Sequence, residues 1–134
     1  MRTSPNRMVA VIAGVIYVLL GVAGFFVTSG TEIFDLDGAL LFGLLSVNIA
    51  QNVLHIVVGA ALILAGLSSV SAARTVNGGF GTLFLVLGIL GLFVVPGDFN
   101  VLAINGADNV VHLGTSVLLL AVGLGAERRA KSAA

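Results

Sequence analysis

The sequence predicts an all-α integral membrane protein, a four-transmembrane-helix bundle built from two parallel two-helix repeats, with a short interfacial helix before the second span. Three observations carry this. Four long apolar runs punctuate the chain, each bounded by polar or charged residues. Of its 134 residues 58% are hydrophobic and only 9% charged, far below the usual charged quarter of a soluble domain. One octet, Asn48-Ile-Ala-Gln-Asn52-Val-Leu-His55, recurs as Asn105-Gly-Ala-Asp-Asn109-Val-Val-His112, and the two copies hold both histidines of the chain.

Residues 1–7 form a polar leader with Arg2, Pro5 and Arg7. Residues 8–27 are an uncharged run long enough to cross about 30 Å of hydrocarbon as a helix. The run exceeds a signal-peptide core and no small-x-small site follows it, so it reads as a retained first span. Residues 28–37, with Glu32, Asp35 and Asp37, have the composition of a loop at the membrane surface. Residues 38–47 are apolar but too short to span, which predicts an interfacial or re-entrant helix leading into the second span, 48–67, or else an extension of that span. Residues 68–79, rich in Ser and Gly, read as the middle loop. The third span, 80–95, is closed by Pro96-Gly97-Asp98, a helix stop. Residues 99–105 are a short loop, 106–124 the fourth span, and 125–134 a charged tail with Glu127, Arg128, Arg129 and Lys131.

Charge placement predicts orientation. All six basic residues lie in the leader, middle loop or tail, whereas Glu32, Asp35, Asp37 and Asp98 lie in the other two loops. The positive-inside rule puts both termini and the middle loop in the cytoplasm. Both octets then start at the outer face, and at about 1.5 Å rise per residue each His sits on the order of 10 Å inside its helix start. The chain is one membrane domain over 1–134. A net charge of zero, without a basic patch alternating with aromatics, excludes a nucleic-acid partner. The absence of cysteine excludes disulfides, thiolate metal sites and a cysteine nucleophile.

The octets belong to a larger duplication. Gly14, Gly21 and Gly24 of the first run align without gaps to Gly81, Gly88 and Gly91 of the third, placing Tyr17 opposite Phe84. Repeat 1 covers about 8–67 and repeat 2 about 78–124, the first carrying about ten extra residues between its spans. Two spans per repeat make the repeats parallel, related by a pseudo-two-fold along the membrane normal. The glycines fall close to one helix face, the pattern of close helix packing rather than of a ligand or phosphate loop.

Asn, Asn and His at i, i+4 and i+7 form a polar stripe down each helix. Polar groups in a span need partners, so Asn48, Gln51, Asn52, His55, Asn105, Asp108, Asn109 and His112 are the candidate polar cluster or ligand site. The copies differ: Asp108 can accept a hydrogen bond from His112, whereas Gln51 can only orient the neutral ring of His55. The leading reading is an interhelical hydrogen-bond cluster tying the halves together. The second is a ligand site, with His55 and His112 as axial haem ligands or helping to hold a metal or quinone. The third is a proton or ion path through Asp108 and His112. Two histidines and one carboxylate are a thin metal set, since copper and zinc sites usually want three or four ligands. Ser116 lies too far along the helix from His112 for a nucleophile–base pair, so no catalytic residues and no enzyme are expected.

Four spans with Asn-x-x-His helix starts, here Asn52-Val-Leu-His55 and Asn109-Val-Val-His112, resemble the bacterial, notably actinobacterial, family of small membrane proteins catalogued as domain of unknown function 4383. The resemblance covers nearly the whole chain. It implies a multi-pass protein of the bacterial plasma membrane and brings no activity with it. The expectation is a non-catalytic accessory subunit or scaffold of a membrane complex or homo-oligomer, in contact with the lipid bilayer and with other membrane subunits or copies of itself, needing no cofactor. The alternative is a haem b- or quinone-binding redox module using His55 and His112.

Overall fold

Four helices long and apolar enough to cross a membrane make up most of the computed structural model, which describes residues 4–94 and 97–127. The features read on Arg2, Pro96, Arg128, Arg129 and Lys131 lie outside the described residues. In chain order the elements are α1 (Pro5–Val27), β1 (Ala39–Leu41), β2 (Leu45–Val47), α2 (Ile49–Ser68), α3 (Val70–Val94) and α4 (Gly106–Gly125).

Helix α1 starts three residues earlier than residue 8, because Ser4 caps it by accepting the Arg7 N–H and Pro5 sits in the first turn, where its missing donor costs nothing. Helix α1 packs mainly on α2 and α3 mainly on α4. Gly14, Gly21 and Gly24 all face α2, and a Cβ added at Gly14 would stand 2.6 Å from Gly59 O. Gly81, Gly88 and Gly91 face α4, meeting Leu120, Leu113 and the Asn109 side chain. The bundle interior holds small and polar residues around a few large ones, Tyr17, Leu62, Phe84 and Leu119, while many large apolar side chains such as Phe26 and Phe93, 82% and 81% exposed, point outward. That distribution suits a surface bathed in lipid rather than water.

Two expectations are corrected. Residues 38–47 form no interfacial helix; they are an antiparallel hairpin pairing Ala39 with Val47 and Leu41 with Leu45. Phe42 and Gly43 both take positive φ, 54° and 67°, and Leu44 N–H donates to Leu41 O at 3.1 Å. This is the twist a tight hairpin turn needs and a helix forbids. Leu41, Leu45 and Val47 are buried against Leu20, Ala23, Ala107 and Val111, whereas Leu40, Phe42 and Leu44 face outward. Nor is 68–79 a loop. A single extended residue, Ser69, separates α2 from α3, and its Oγ accepts the Ala72 N–H at 3.0 Å, capping a helix that begins at Val70. Gly78 and Gly79, which read as loop punctuation, lie inside α3, and it is the missing side chain of Gly123 in α4 that lets the two helices approach, since a Cβ there would stand 2.9 Å from Gly78 N.

At the Ser69 end, two arginines fasten neighbouring helices. Arg7 donates to Gly66 O (2.7 Å) and Leu67 O (3.0 Å) at the end of α2, and Arg74 donates to Gly123 O (3.0 Å) at the end of α4. Cations belong there, against carbonyls that have no partner within their helix. Glu127 accepts from Ser4 and Asn6, and Asn77 donates to Asn6 O and Oδ1, both at 3.0 Å, bridging α1 and α3.

Gly91→Ala drives a methyl into the Asn109 amide and should lower stability by about 1–3 kcal/mol. Gly114→Ala, where nothing lies within 4 Å of the added Cβ, should leave stability unchanged or raise it by up to about 1 kcal/mol. Reversible unfolding in mixed detergent micelles measures both.

Candidate functional site

The first Asn of each octet caps its helix. Asn48 Oδ1 accepts the Gln51 N–H at 2.9 Å, and Asn105 Oδ1 accepts the Asp108 N–H at 3.0 Å. Both residues are extended, so their side chains turn back onto the first turn. Each amide nitrogen reaches elsewhere: Asn48 Nδ2 donates to Asp35 O (3.0 Å) and Val101 O (2.9 Å), and Asn105 Nδ2 donates to Leu44 O (2.8 Å). Each cap thus also ties the start of its helix to the loop or hairpin that precedes the other octet.

Asp108 is the hub of this end. Its Oδ2 accepts the Asn105 N–H at 2.9 Å, completing a capping box, and the Ser46 N–H of β2 at 3.1 Å. The carboxylate is 2% exposed and pairs with backbone donors, not with His112. Position decides this: the third residue of a helix bends its side chain toward the cap, away from the residue one turn further on. Gln51, at the same place in α2, faces Ser46 O and Leu102 O rather than His55, and with its amide turned so that the nitrogen meets these acceptors it donates to Ser46 O at 3.0 Å and to Leu102 O. The proposed path through Asp108 and His112 lacks that hydrogen bond.

The second Asn of each octet lies on a glycine. Asn52 sits over Gly24 and donates to Thr28 Oγ1 at 3.1 Å, whose hydroxyl passes a bond on to Gly24 O at 3.1 Å. Asn109 sits over Gly91. These amides brace α1 against α2 and α3 against α4, and they form no hydrogen bond with the histidines.

The histidines meet at the bundle centre. His55 and His112 have ring centroids 6.2 Å apart, His55 is 5.2 Å from Tyr17, His112 is 5.4 Å from Phe84, and Tyr17 stacks on Phe84 at 4.8 Å. The four rings form a closed quartet, one from each helix. Tyr17 Oη donates to Thr115 Oγ1 at 2.9 Å, joining α1 to α4. Among the described residues neither nitrogen of His55, nor Nδ1 of His112, nor the Ser116 hydroxyl has a hydrogen-bond partner. The interhelical cluster is therefore split. Asn48, Gln51, Asn105 and Asp108 join the lid of loops, Asn52 and Asn109 brace the helix pairs, and His55 and His112 stand apart from both.

Sequence reasoning missed Tyr17 and Phe84 as members of the site, although their alignment one above the other was the available signal. It also missed the capping box. Asn105 followed three residues later by an acidic residue before an apolar run was legible as a helix start.

A family model matches residues 7–125. The chain belongs to this family, described as Domain of unknown function (DUF4383). No curated protein and no solved structure matches it. For this DUF4383 chain the geometry at the hairpin end and the ring quartet is accordingly the direct guide to what it does.

Asp108→Ala would leave the Ser46 and Asn105 N–H groups without their acceptor, at a cost of about 1–3 kcal/mol for each that stays buried. Amide hydrogen exchange at Ser46 and Asn105 should accelerate, while amides in the middle of α1 and α3 keep their protection. Asp108→Asn, which retains one acceptor oxygen, should fall between the two.

Proposed function

We propose that this DUF4383 protein is a non-catalytic membrane protein, an accessory subunit or scaffold within a complex of integral membrane proteins or of its own copies. The observation that carries it is how its polar side chains are used: Asn48, Asn105, Asp108, Gln51, Arg7 and Arg74 all tie one element of the chain to another. Among the described residues no three His, Cys, Asp or Glu side chains gather closely enough to hold a metal ion. At the hairpin end, Leu40, Phe42, Leu44 and Phe99 stay exposed, 58–84%. They give a second membrane subunit an apolar shelf to seat against, beside the lipid-facing helices.

The finer architecture belongs to the same reading. The chain is two parallel repeats in the bacterial plasma membrane, with both termini and the Ser69 junction cytoplasmic. Supporting it are the matched roles of Arg7 and Arg74, Gly24 and Gly91, and Asn48 and Asn105, together with the acidic residues at the opposite end. The redox alternative divides in two. A porphyrin between His55 and His112 would have to part the stacked Tyr17 and Phe84 rings. A quinone head has a better case, because a lipid-facing groove of about 260 Å³ between α1 and α4 is backed by Tyr17 and Thr115.

Native mass spectrometry from lipid nanodiscs cut directly out of the source membrane tests the scaffold. The expected result is a particle heavier than one chain, which Phe42→Ser combined with Leu44→Ser dissociates. A wild-type particle containing one chain and lipid only would refute it. Cysteine labelling should find position 74 accessible from the cytoplasm and position 35 from outside.

A further inference from the structure

A groove of about 850 Å³ opens between α3 and α4 at the Ser69 end, within the roughly 300–1,000 Å³ of ordinary ligand sites. Its walls change character with depth. Ser71, Arg74, Thr75, Gly78 and Gly79 follow one face of α3, rising about 12 Å from first to last. The first three are polar and stand at the mouth, beside the helix start. The last two carry no side chain. A glycine inside a helix is less stable than an alanine, yet a Cβ at either position would meet nothing within 4 Å. Close helix approach therefore does not require them, and what their missing side chains leave is an apolar slot below a polar mouth.

The mouth is positively charged. Arg74 is half-buried there, and among the described residues its only hydrogen bond is the one from Nε to Gly123 O at 3.0 Å. That bond fixes the guanidinium against the end of α4 and leaves both terminal nitrogens for an anion. Glu127 also lines the groove, but its two carboxylate oxygens accept from Ser4 and Asn6 at the start of α1. In the sequence all six basic residues, and only Glu127 among the acidic ones, belong to the leader, to 68–79 and to the tail.

We propose that this groove holds one anionic phospholipid, its phosphate paired with Arg74 beside the Ser71 and Thr75 hydroxyls and an acyl chain running down over Gly78 and Gly79. A guanidinium offers a phosphate two parallel N–H donors, and basic pockets between membrane helices take anionic head groups. A free phosphate would be served by the mouth alone. A lipid also needs an apolar floor beneath its phosphate, which the two glycines and the exposed Leu124 supply. The site needs only that the chain lies in a bilayer, and depends neither on the scaffold role nor on which membrane face the Ser69 end occupies.

Native mass spectrometry of the full chain tests this, with the protein released from neutral detergent micelles doped equally with phosphatidylglycerol and phosphatidylcholine of the same acyl chains. Phosphatidylcholine carries the same phosphate with its charge cancelled. The wild type should retain one phosphatidylglycerol, preferred by about 10-fold or more, the worth of one hydrogen-bonded charge. Arg74→Ala should abolish the preference. Because that change also frees Gly123 O, a second variant leaves the mouth intact: Gly79→Leu fills the slot, should leave the unfolding midpoint in detergent unchanged or higher, and should expel the lipid. Wild-type protein that holds both lipids alike, or neither, overturns the proposal. So does a preference that survives Arg74→Ala, which would assign it to the other basic residues, or lipid retention unchanged in Gly79→Leu.

Discussion

Within lipid, helices gain little by hiding apolar side chains from one another, because the hydrocarbon around them is equally apolar. Everything in this fold follows from that constraint. Backbones approach closely where Gly14 meets Gly59 and where Gly123 meets Gly78, gaining contact that larger residues would prevent. Polar side chains then supply direction. Tyr17 finds Thr115, Asn77 finds Asn6, and the arginines find helix ends that would otherwise present bare carbonyls to lipid or its headgroups. Each tie is worth little alone, but together they select one arrangement of four helices that could otherwise pack in many ways.

The hairpin end is where the two helix pairs are most firmly registered. Irregular backbone at membrane depth is tolerated only when protein satisfies it. Here Asn48 and Asn105 cap their own helices with the oxygen of the amide and hold a distant loop carbonyl with the nitrogen. Asp108 does the complementary task for backbone donors. Because both helix starts and both connecting segments share one network, depth and rotation of α2 and α4 are set together. That registration brings His55 and His112 to the same level.

The four spans were legible in the sequence because hydropathy acts over many residues, so local exceptions average out. Shorter features were not. The hairpin turns on a left-handed Phe42, a residue that gives no such warning, and Leu-Ser-Val is too brief to show strand alternation. Residues 68–79 looked like a loop from their Ser and Gly content, yet Ser69 alone interrupts the helices and both glycines continue α3. Arg7 and Arg74 were visible as topology signals, but their hydrogen bonds to the ends of α2 and α4 depend on tertiary approach. Asp108 was recognised and given the wrong partner, since a helix-face argument ignored that the third position of a helix turns toward its cap.

One extended residue, Ser69, is all the chain that joins α2 to α3, a link of about 3.5 Å. The two helix pairs are therefore hinged at one end with almost no slack. If they move apart at all, they must do so like a clamshell, opening at the far rim while the Ser69 end stays together. The bonds of Asn48, Asn105 and Asp108 across that rim are then the latch. The ring quartet lies between hinge and latch, so a small release at the rim is enough to alter the gap between the imidazoles.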